Sequence, residues 1–272
     1  LLLLTRTGQY LKDLKPPAGG FSFYLRPMKD NFSRQAASYA QYRPGYPKEL
    51  FDFILAQITG REVAWDCATG NGQTAKELAP YFEKVFATDI SAKQLENAVQ
   101  ASNIFYSIQP AEQTNFEENS FDLVTVSQAL HWIQFDPFYS EVKRVTRPGG
   151  WLAVWMYGGI TISGSIDQLI RDHHDITLGQ QWDEERQHVN THYSMIPFPF
   201  REINCPPFEM YYSWSLEQLE GYLQTWSALQ KFIAKNGWNP VDELMTRIQK
   251  YWEKEKMKIS FPLYLRMGQV MK

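Results

Sequence analysis

Cysteine is scarce: Cys67 and Cys205 are the only two in 272 residues. So few thiols exclude a disulfide framework and point to a reducing compartment, with the cytoplasm as the expected location. Long apolar runs are missing as well, and none approaches the roughly 20 residues of a membrane span. The opening Leu1–Leu4 stretch falls short of the roughly 7–15 apolar residues of a signal-peptide core. No membrane partner is expected. There is no surplus of one charge: 27 Lys+Arg face 30 Asp+Glu, a net charge of −3. Such a field is not built to hold a polyanion, so nucleic acid is not an expected partner. The most basic stretch, Lys250 to Lys258, alternates Lys with Glu. Glycine (16) and proline (15) occur at ordinary levels, which excludes collagen-like and low-complexity chains.

What is present is an alternation of short apolar strands and amphipathic helices. Strands are expected at Glu62–Cys67, Lys84–Ile90, Asn103–Ile108, Phe121–Val126 and Trp151–Tyr157. Helices are expected at Glu49–Ile58, Thr74–Tyr81, Ser91–Val99 (capped by Ser91) and Phe138–Thr146, with Arg147-Pro148-Gly149-Gly150 as a turn. This βαβα order with short links predicts an α/β, doubly wound, mostly parallel sheet. After Tyr157 the rhythm breaks into a His-, Gln- and Asp-rich helical insertion. A strand at Phe208–Trp214, helices at Leu216–Ile233 and Pro240–Lys256, and a last strand at Ile259–Leu265 follow. The division read from this pattern is an N-terminal arm over 1–29, which lacks Met until Met28, and one domain over 30–272. Within that domain the core spans about 60–157, the insertion about 160–200 and the C-terminal strands and helices 205–272.

Gly70-Asn71-Gly72-Gln73-Thr74-Ala75 fits G-x-G-x-x-G/A between a strand and a helix, the setting in which a backbone turns tightly against an adenosine-containing ligand. Asp89, at the end of the next strand, stands where a carboxylate accepts hydrogen bonds from a ribose diol. NAD and S-adenosylmethionine both satisfy this pattern. Asp66 separates them: a carboxylate beside the loop repels a pyrophosphate and attracts a sulfonium or an ammonium.

At this point Asp66-Cys67-Ala68-Thr69-Gly70-Asn71-Gly72 resembles the first motif of the class I S-adenosylmethionine-dependent methyltransferases, with Ala68 in place of the first glycine. Phe86-Ala87-Thr88-Asp89-Ile90-Ser91 resembles the second motif. Ala111-Glu112, Ser120-Phe121-Asp122-Leu123-Val124, Gln128-Ala129-Leu130-His131-Trp132 and Arg147-Pro148-Gly149-Gly150-Trp151-Leu152 resemble the later ones. Tyr39-Ala40-Gln41-Tyr42-Arg43-Pro44-Gly45-Tyr46-Pro47, Leu178-Gly179-Gln180-Gln181-Trp182-Asp183 and Thr225-Trp226-Ser227-Ala228 resemble the type 11, trans-aconitate methyltransferase-like branch.

The resemblance implies a seven-stranded Rossmann-like methyltransferase sheet with S-adenosylmethionine as cofactor. It implies that Asp89 binds the ribose, and that Asp66, Ala68, Gly70 and Gly72 hold the methionine end. Ala111 and Glu112 would flank the adenine, Ile90 would cover one of its faces, and Gln128 would face the methyl donor. Tyr39 and Arg43 would close the site, with Arg43 toward the ligand carboxylate. His131 is the candidate general base for a hydroxyl or amine acceptor; a carboxylate acceptor needs none. Trp132, Trp155, Tyr157, Trp182, Arg186 and Trp226 are the candidate acceptor-side residues, with Arg186 able to pair an acidic substrate. The expected acceptor is a carboxylate or hydroxyl oxygen of a small organic acid, and the expected assembly a monomer or homodimer. The rival readings are an NAD-binding oxidoreductase and a non-catalytic S-adenosylmethionine-binding protein. No metal is expected: His188 and His192 share a helical spacing, but Val189 stands where H-E-x-x-H requires Glu.

Overall fold

The computed structural model describes residues 42–272. The parallel half of the sheet consists of β1 (Val63–Cys67), β2 (Lys84–Asp89), β3 (Ile104–Ile108), β4 (Phe121–Ser127) and β5 (Thr146–Tyr157). β8 (Met257–Gln269) runs antiparallel to β5, and the strand order is β3-β2-β1-β4-β5-β8-β6. β6 (Arg201–Ile203) and β7 (Phe208–Trp214) both pair with β8, along its C-terminal and N-terminal halves respectively. The expected seven-stranded sheet therefore has eight strands: the 13-residue β8 is long enough to carry two short strands on one edge.

β4 is buried along nearly its whole length, with burial of Phe121 through Val126. That is what a strand covered by helices on both faces requires, and it explains why Phe121 to Val126 is apolar except at Asp122 and Thr125. One face packs against α1 (Lys48–Gln57), whose Leu50, Phe51, Ile54 and Leu55 point into the core at helical spacing. The other face packs against α4 (Phe135–Val145) through Phe138, Tyr139, Val142 and Val145. Two further helices, α2 (Gln73–Leu78) and α3 (Ala92–Glu96), follow β1 and β2, and Ser91 caps α3 by accepting from the Gln94 N–H at 3.3 Å. The sheet order reverses around β1, which lies between β2 and β4. Ligands bind doubly wound sheets at the carboxyl ends of the strands at that reversal.

The helix expected over Pro240–Lys256 ends at Gln249, the last strand runs Met257–Gln269 and not Ile259–Leu265, and two elements differ in kind from the sequence reading. Arg147–Gly150 is a bulge inside β5 rather than a separate turn: pairing with β4 jumps from Phe121–Thr146 to Leu123–Trp151, and Gly149 takes φ +81°. The single helix expected over Leu216–Ile233 is two, α7 (Leu216–Gln224) and α8 (Ser227–Asn236). Thr225 Oγ1 donates back to the Tyr222 carbonyl at 2.6 Å, and Trp226 turns extended so that its indole is buried. The insertion contains α5 (Gly164–Asp172), a π-helical turn (His173–Thr177) and α6 (Arg186–Asn190). α9 (Val241–Gln249) completes the cover on the α1 face.

Candidate active site

The donor side is built where β1, β2 and β4 end. Asp66 is fully buried; its carboxylate accepts from the hydroxyls of Thr69 at 2.5 Å and Thr125 at 2.8 Å. Thr125 reaches it because Asp66 and Thr125 are register partners of β1 and β4. Burial raises the Asp66 pKa to about 7, with the two hydroxyls opposing the shift. Asp89 accepts from the backbone N–H of Gly70 at 2.9 Å and of Ser91 at 2.8 Å, which ties the glycine loop to the end of β2.

The loop itself is left-handed at three places: Ala68 (φ 53°), Gly70 (φ 57°) and Gly72 (φ 81°). At Gly72 a Cβ would run into the Tyr106 hydroxyl, so glycine is required there for space as well as conformation. At Gly70 the position of a Cβ is open, the nearest atom being Gln94 Oε1 at 4.0 Å. That oxygen is buried and accepts no hydrogen bond. Ile90 is exposed, Ala111 is buried, and Glu112 Oε1 accepts from the Gln134 N–H at 2.9 Å. Gln128, itself left-handed (φ 54°), accepts from the Tyr157 N–H at 2.8 Å and so joins the ends of β4 and β5.

This donor set contains two carboxylates, an unused amide oxygen and an open loop backbone. A bound cation would give the fully buried Asp66 a countercharge. S-adenosylmethionine, with a sulfonium, an ammonium and a ribose diol, fits these residues; a pyrophosphate would face Asp66 without a cation to balance it.

The residues expected on the acceptor side lie beyond β5. Arg43 donates to the Tyr157 hydroxyl at 2.5 Å and to the Thr225 carbonyl at 3.3 Å, with its guanidinium over the Tyr222 ring. A cavity of about 480 Å³ is lined by His174, Trp182, Asp183, Glu184, Arg186 and residues beside them. Trp182 is held between His174, stacked at 4.5 Å, and the Arg186 guanidinium at 4.7 Å. Trp226 packs against Trp182 at 5.6 Å. Arg186 Nε is sealed from solvent without a partner, and among the described residues no carboxylate lies within ion-pair distance of Arg186. Burial lowers the Arg186 pKa, and Arg43 lowers it further. His131, in the turn Leu130–Trp132, is 5% exposed; its Nδ1 lies 2.8 Å from the Tyr193 hydroxyl and its ring 4.8 Å from Trp132. Burial, with Arg186 and His188, lowers its pKa to about 3.

The fold thus gathers Asp66, Ala68, Gly70, Gly72, Asp89 and Ile90 at the ends of β1 and β2, and Tyr157, Trp182, Arg186 and Trp226 beyond β5. Arg43, expected on the cofactor side, is hydrogen-bonded there to Tyr157 and Thr225. Trp155 goes elsewhere. It is 0% exposed and packs edge-on against Tyr46 and Phe51 in the core, because its β5 position faces α1. Tyr39 lies outside the described residues. Sequence reading missed Thr69, Thr125, Gln94, Tyr193 and Tyr222. Thr125 had a signal, a lone hydroxyl in an apolar strand, and Thr69 lies within the glycine-loop motif three residues after Asp66; the others make contacts that no local pattern announces.

Comparison with known proteins agrees with this geometry. Residues 65–154 match the family model described as a methyltransferase domain. Over 245 residues the chain is 31% identical to a Dictyostelium discoideum protein named "Putative methyltransferase", covering 87% of this chain and 93% of that one. A Saccharomyces cerevisiae protein named "Probable S-adenosylmethionine-dependent methyltransferase" is 28% identical over 136 residues, 47% of each chain. A solved structure from Anaeromyxobacter dehalogenans, described as a "Putative Type II Methyltransferase", superposes with a TM-score of 0.78 at 32% identity, covering 85% of this chain and 99% of that one. Similarity of that extent, over a loop and sheet arranged for a cationic adenosine ligand, places the chain among the class I S-adenosylmethionine-dependent methyltransferases.

Proposed function

We propose that this enzyme methylates a carboxylate oxygen of a small organic acid. The observation that carries the reading is Arg186: a guanidinium fixed on the Trp182 face, in the wall of a cavity, with no carboxylate of the described residues within ion-pair distance, although Asp175, Asp183 and Glu184 also line that cavity. A planar fork of N–H donors suits a carboxylate better than any other small anion of similar size except phosphate. When bound, S-adenosylmethionine supplies a methyl group already activated by its positive sulfur. In the proposed arrangement Asp89 holds the ribose diol, and Asp66 with the loop from Ala68 to Gly72 holds the methionine end. Ile90, Ala111 and Glu112 border the adenine, and Gln128 keeps the end of β4 against β5. Arg186 fixes the acceptor, Trp182 and Trp226 wall it, and Trp132 and Tyr157 narrow the approach. His131 supports an acceptor that arrives ionised: a ring that holds a proton only below about pH 3 removes one from a hydroxyl poorly. The branch resemblance read from Leu178–Asp183 and Thr225–Ala228 agrees with an acidic acceptor. Free Cys67 and Cys205 support a reducing, cytoplasmic setting, and among the described residues no helix is long and apolar enough to cross a membrane.

The test is methyl transfer from labelled S-adenosylmethionine to a panel of small mono-, di- and tricarboxylic acids, alcohols and amines. Base-labile methyl ester is the expected product. Arg186→Met should raise the acceptor KM by roughly 10–100-fold, the worth of a charge-assisted hydrogen bond, and leave S-adenosylhomocysteine binding intact. Turnover confined to amines or alcohols, or an unchanged KM in Arg186→Met, overturns the proposal.

A further inference from the structure

Two successive residues after α6, His192 (φ 53°) and Tyr193 (φ 59°), adopt the left-handed backbone region without being glycine. Each costs about 1–2 kcal/mol. Neighbouring contacts hold them there. The His192 ring stacks on Tyr264 at 3.9 Å. Arg266 Nη1 donates to the Tyr193 carbonyl at 2.8 Å and to the Ile196 carbonyl at 2.7 Å, while Glu202 pins the other side of that guanidinium. The Tyr193 N–H closes the turn on the His188 carbonyl at 2.8 Å. The result is to fold the Tyr193 side chain inward, 1% exposed, onto a residue 62 positions earlier: its hydroxyl lies 2.8 Å from His131 Nδ1.

The direction of that hydrogen bond follows from the surroundings of the Tyr193 hydroxyl. Among the described residues the hydroxyl makes one hydrogen bond, to His131 Nδ1, and at 1% exposure it is closed off from water. A buried O–H needs an acceptor, so its single proton goes to Nδ1. Burial keeps that proton in place by pushing the phenol pKa upward. An Nδ1 that accepts leaves a neutral imidazole with its proton on Nε2. Arg186 and His188 beside the ring disfavour a second proton, and Asp183 opposes them only as the smallest of the named influences. We infer that Tyr193 is a positioning residue that fixes His131 as the Nε2–H tautomer, a neutral hydrogen-bond donor to an acceptor oxygen and not a proton acceptor. The specificity consequence rests on the carboxylate reading above: acceptors must arrive with their nucleophilic oxygen already deprotonated.

Long-range ¹H–¹⁵N spectra of the histidine rings test this on the wild-type chain. There are five histidines, and the His131 signals are those lost in His131→Gln. The expected result is a single Nε2–H tautomer that does not change between about pH 5 and 9. In Tyr193→Phe, which removes one oxygen from a buried ring, the pattern should become a tautomer mixture. With the accepted substrate, kcat should be level over the same range, and His131→Gln, which keeps an N–H donor, should retain more activity than His131→Leu. A wild-type Nδ1–H tautomer, titration of His131 within that range, or an unaltered pattern in Tyr193→Phe overturns the inference. If the Nε2–H pattern holds while carboxylic acids are not methylated, the tautomer assignment stands and the acceptor proposal fails.

Discussion

Two single residues concentrate the donor-side chemistry. Ala68 occupies the first glycine position of the loop and accepts a left-handed backbone, φ 53°, that glycine would adopt at little cost. The loop therefore keeps its path despite the added methyl. Asp66 has a sharper consequence. Its folded-state pKa of about 7 lies above its ordinary value of 3.8 because burial disfavours the charge. The ligand-free fold thus holds a proton that the unfolded chain has released, and the Asp66 contribution to stability falls as pH rises from about 4 to about 7. A cationic ligand beside the carboxylate reverses the preference and expels the proton. S-adenosylmethionine binding should then tighten by up to tenfold per pH unit as pH rises toward about 7, and level off above it. Calorimetry in buffers of different ionisation enthalpy should detect the released proton at about pH 6 in the wild type and lose most of it in Asp66→Asn. Equal proton release in the two proteins would remove Asp66 from this role.

At the scale of elements, the question is what joins β1, β4 and the β5 bulge. Asp122 does much of it. One carboxylate oxygen accepts from the Glu62 N–H at 2.8 Å and the Val63 N–H at 3.0 Å, and the other from Arg147 Nη1 at 2.8 Å. The bulge that carries Arg147 is thereby tied to the first turn of backbone entering β1. Asp122→Ala would leave two amides and a guanidinium short of their acceptor, at about 2–4 kcal/mol. Denaturant unfolding should show that loss with little change in donor affinity, because the affected strand ends lie opposite the glycine loop. A loss under about 1 kcal/mol would mean that water replaces the carboxylate without penalty. The same residues show why the bulge escaped sequence reading. Arg147-Pro148-Gly149-Gly150 has turn composition, but strand pairing resumes on both sides of it at Thr146 and Trp151. Composition identifies the local bend, and only the partner strand decides that the bend belongs inside β5.

Across the whole molecule, legibility follows sequence separation. The donor half is written in contiguous motifs, since Asp66, Gly70, Gly72 and Asp89 belong to one βαβ unit, and the parallel order of the core strands follows from their rhythm. The rest of the candidate site is assembled from distant segments: Arg43 meets Tyr157 and Thr225, and His131 meets Tyr193. Such pairs have no local period, and the burial of Trp155 against Tyr46 and Phe51 was hidden for the same reason. The G-x-G-x-x-A pattern alone also left NAD and S-adenosylmethionine open, and the folded loop separates them physically. Asp66 lies beneath it, and the Asp89 carboxylate is its other nearby charge. A pyrophosphate would bring two negative charges to a site with two carboxylates, whereas a thioether or sulfonium analogue carries an ammonium that suits them. Thermal unfolding should therefore discriminate the ligands. S-adenosylhomocysteine at about 100 times its Kd contributes roughly 2.7 kcal/mol. For a domain of this size that raises Tm by roughly 5 °C, while NAD at the same concentration leaves Tm within about 1 °C. A shift with NAD as large as that with S-adenosylhomocysteine would show that the loop reads the adenosine alone, and that Asp66 does not select against the pyrophosphate.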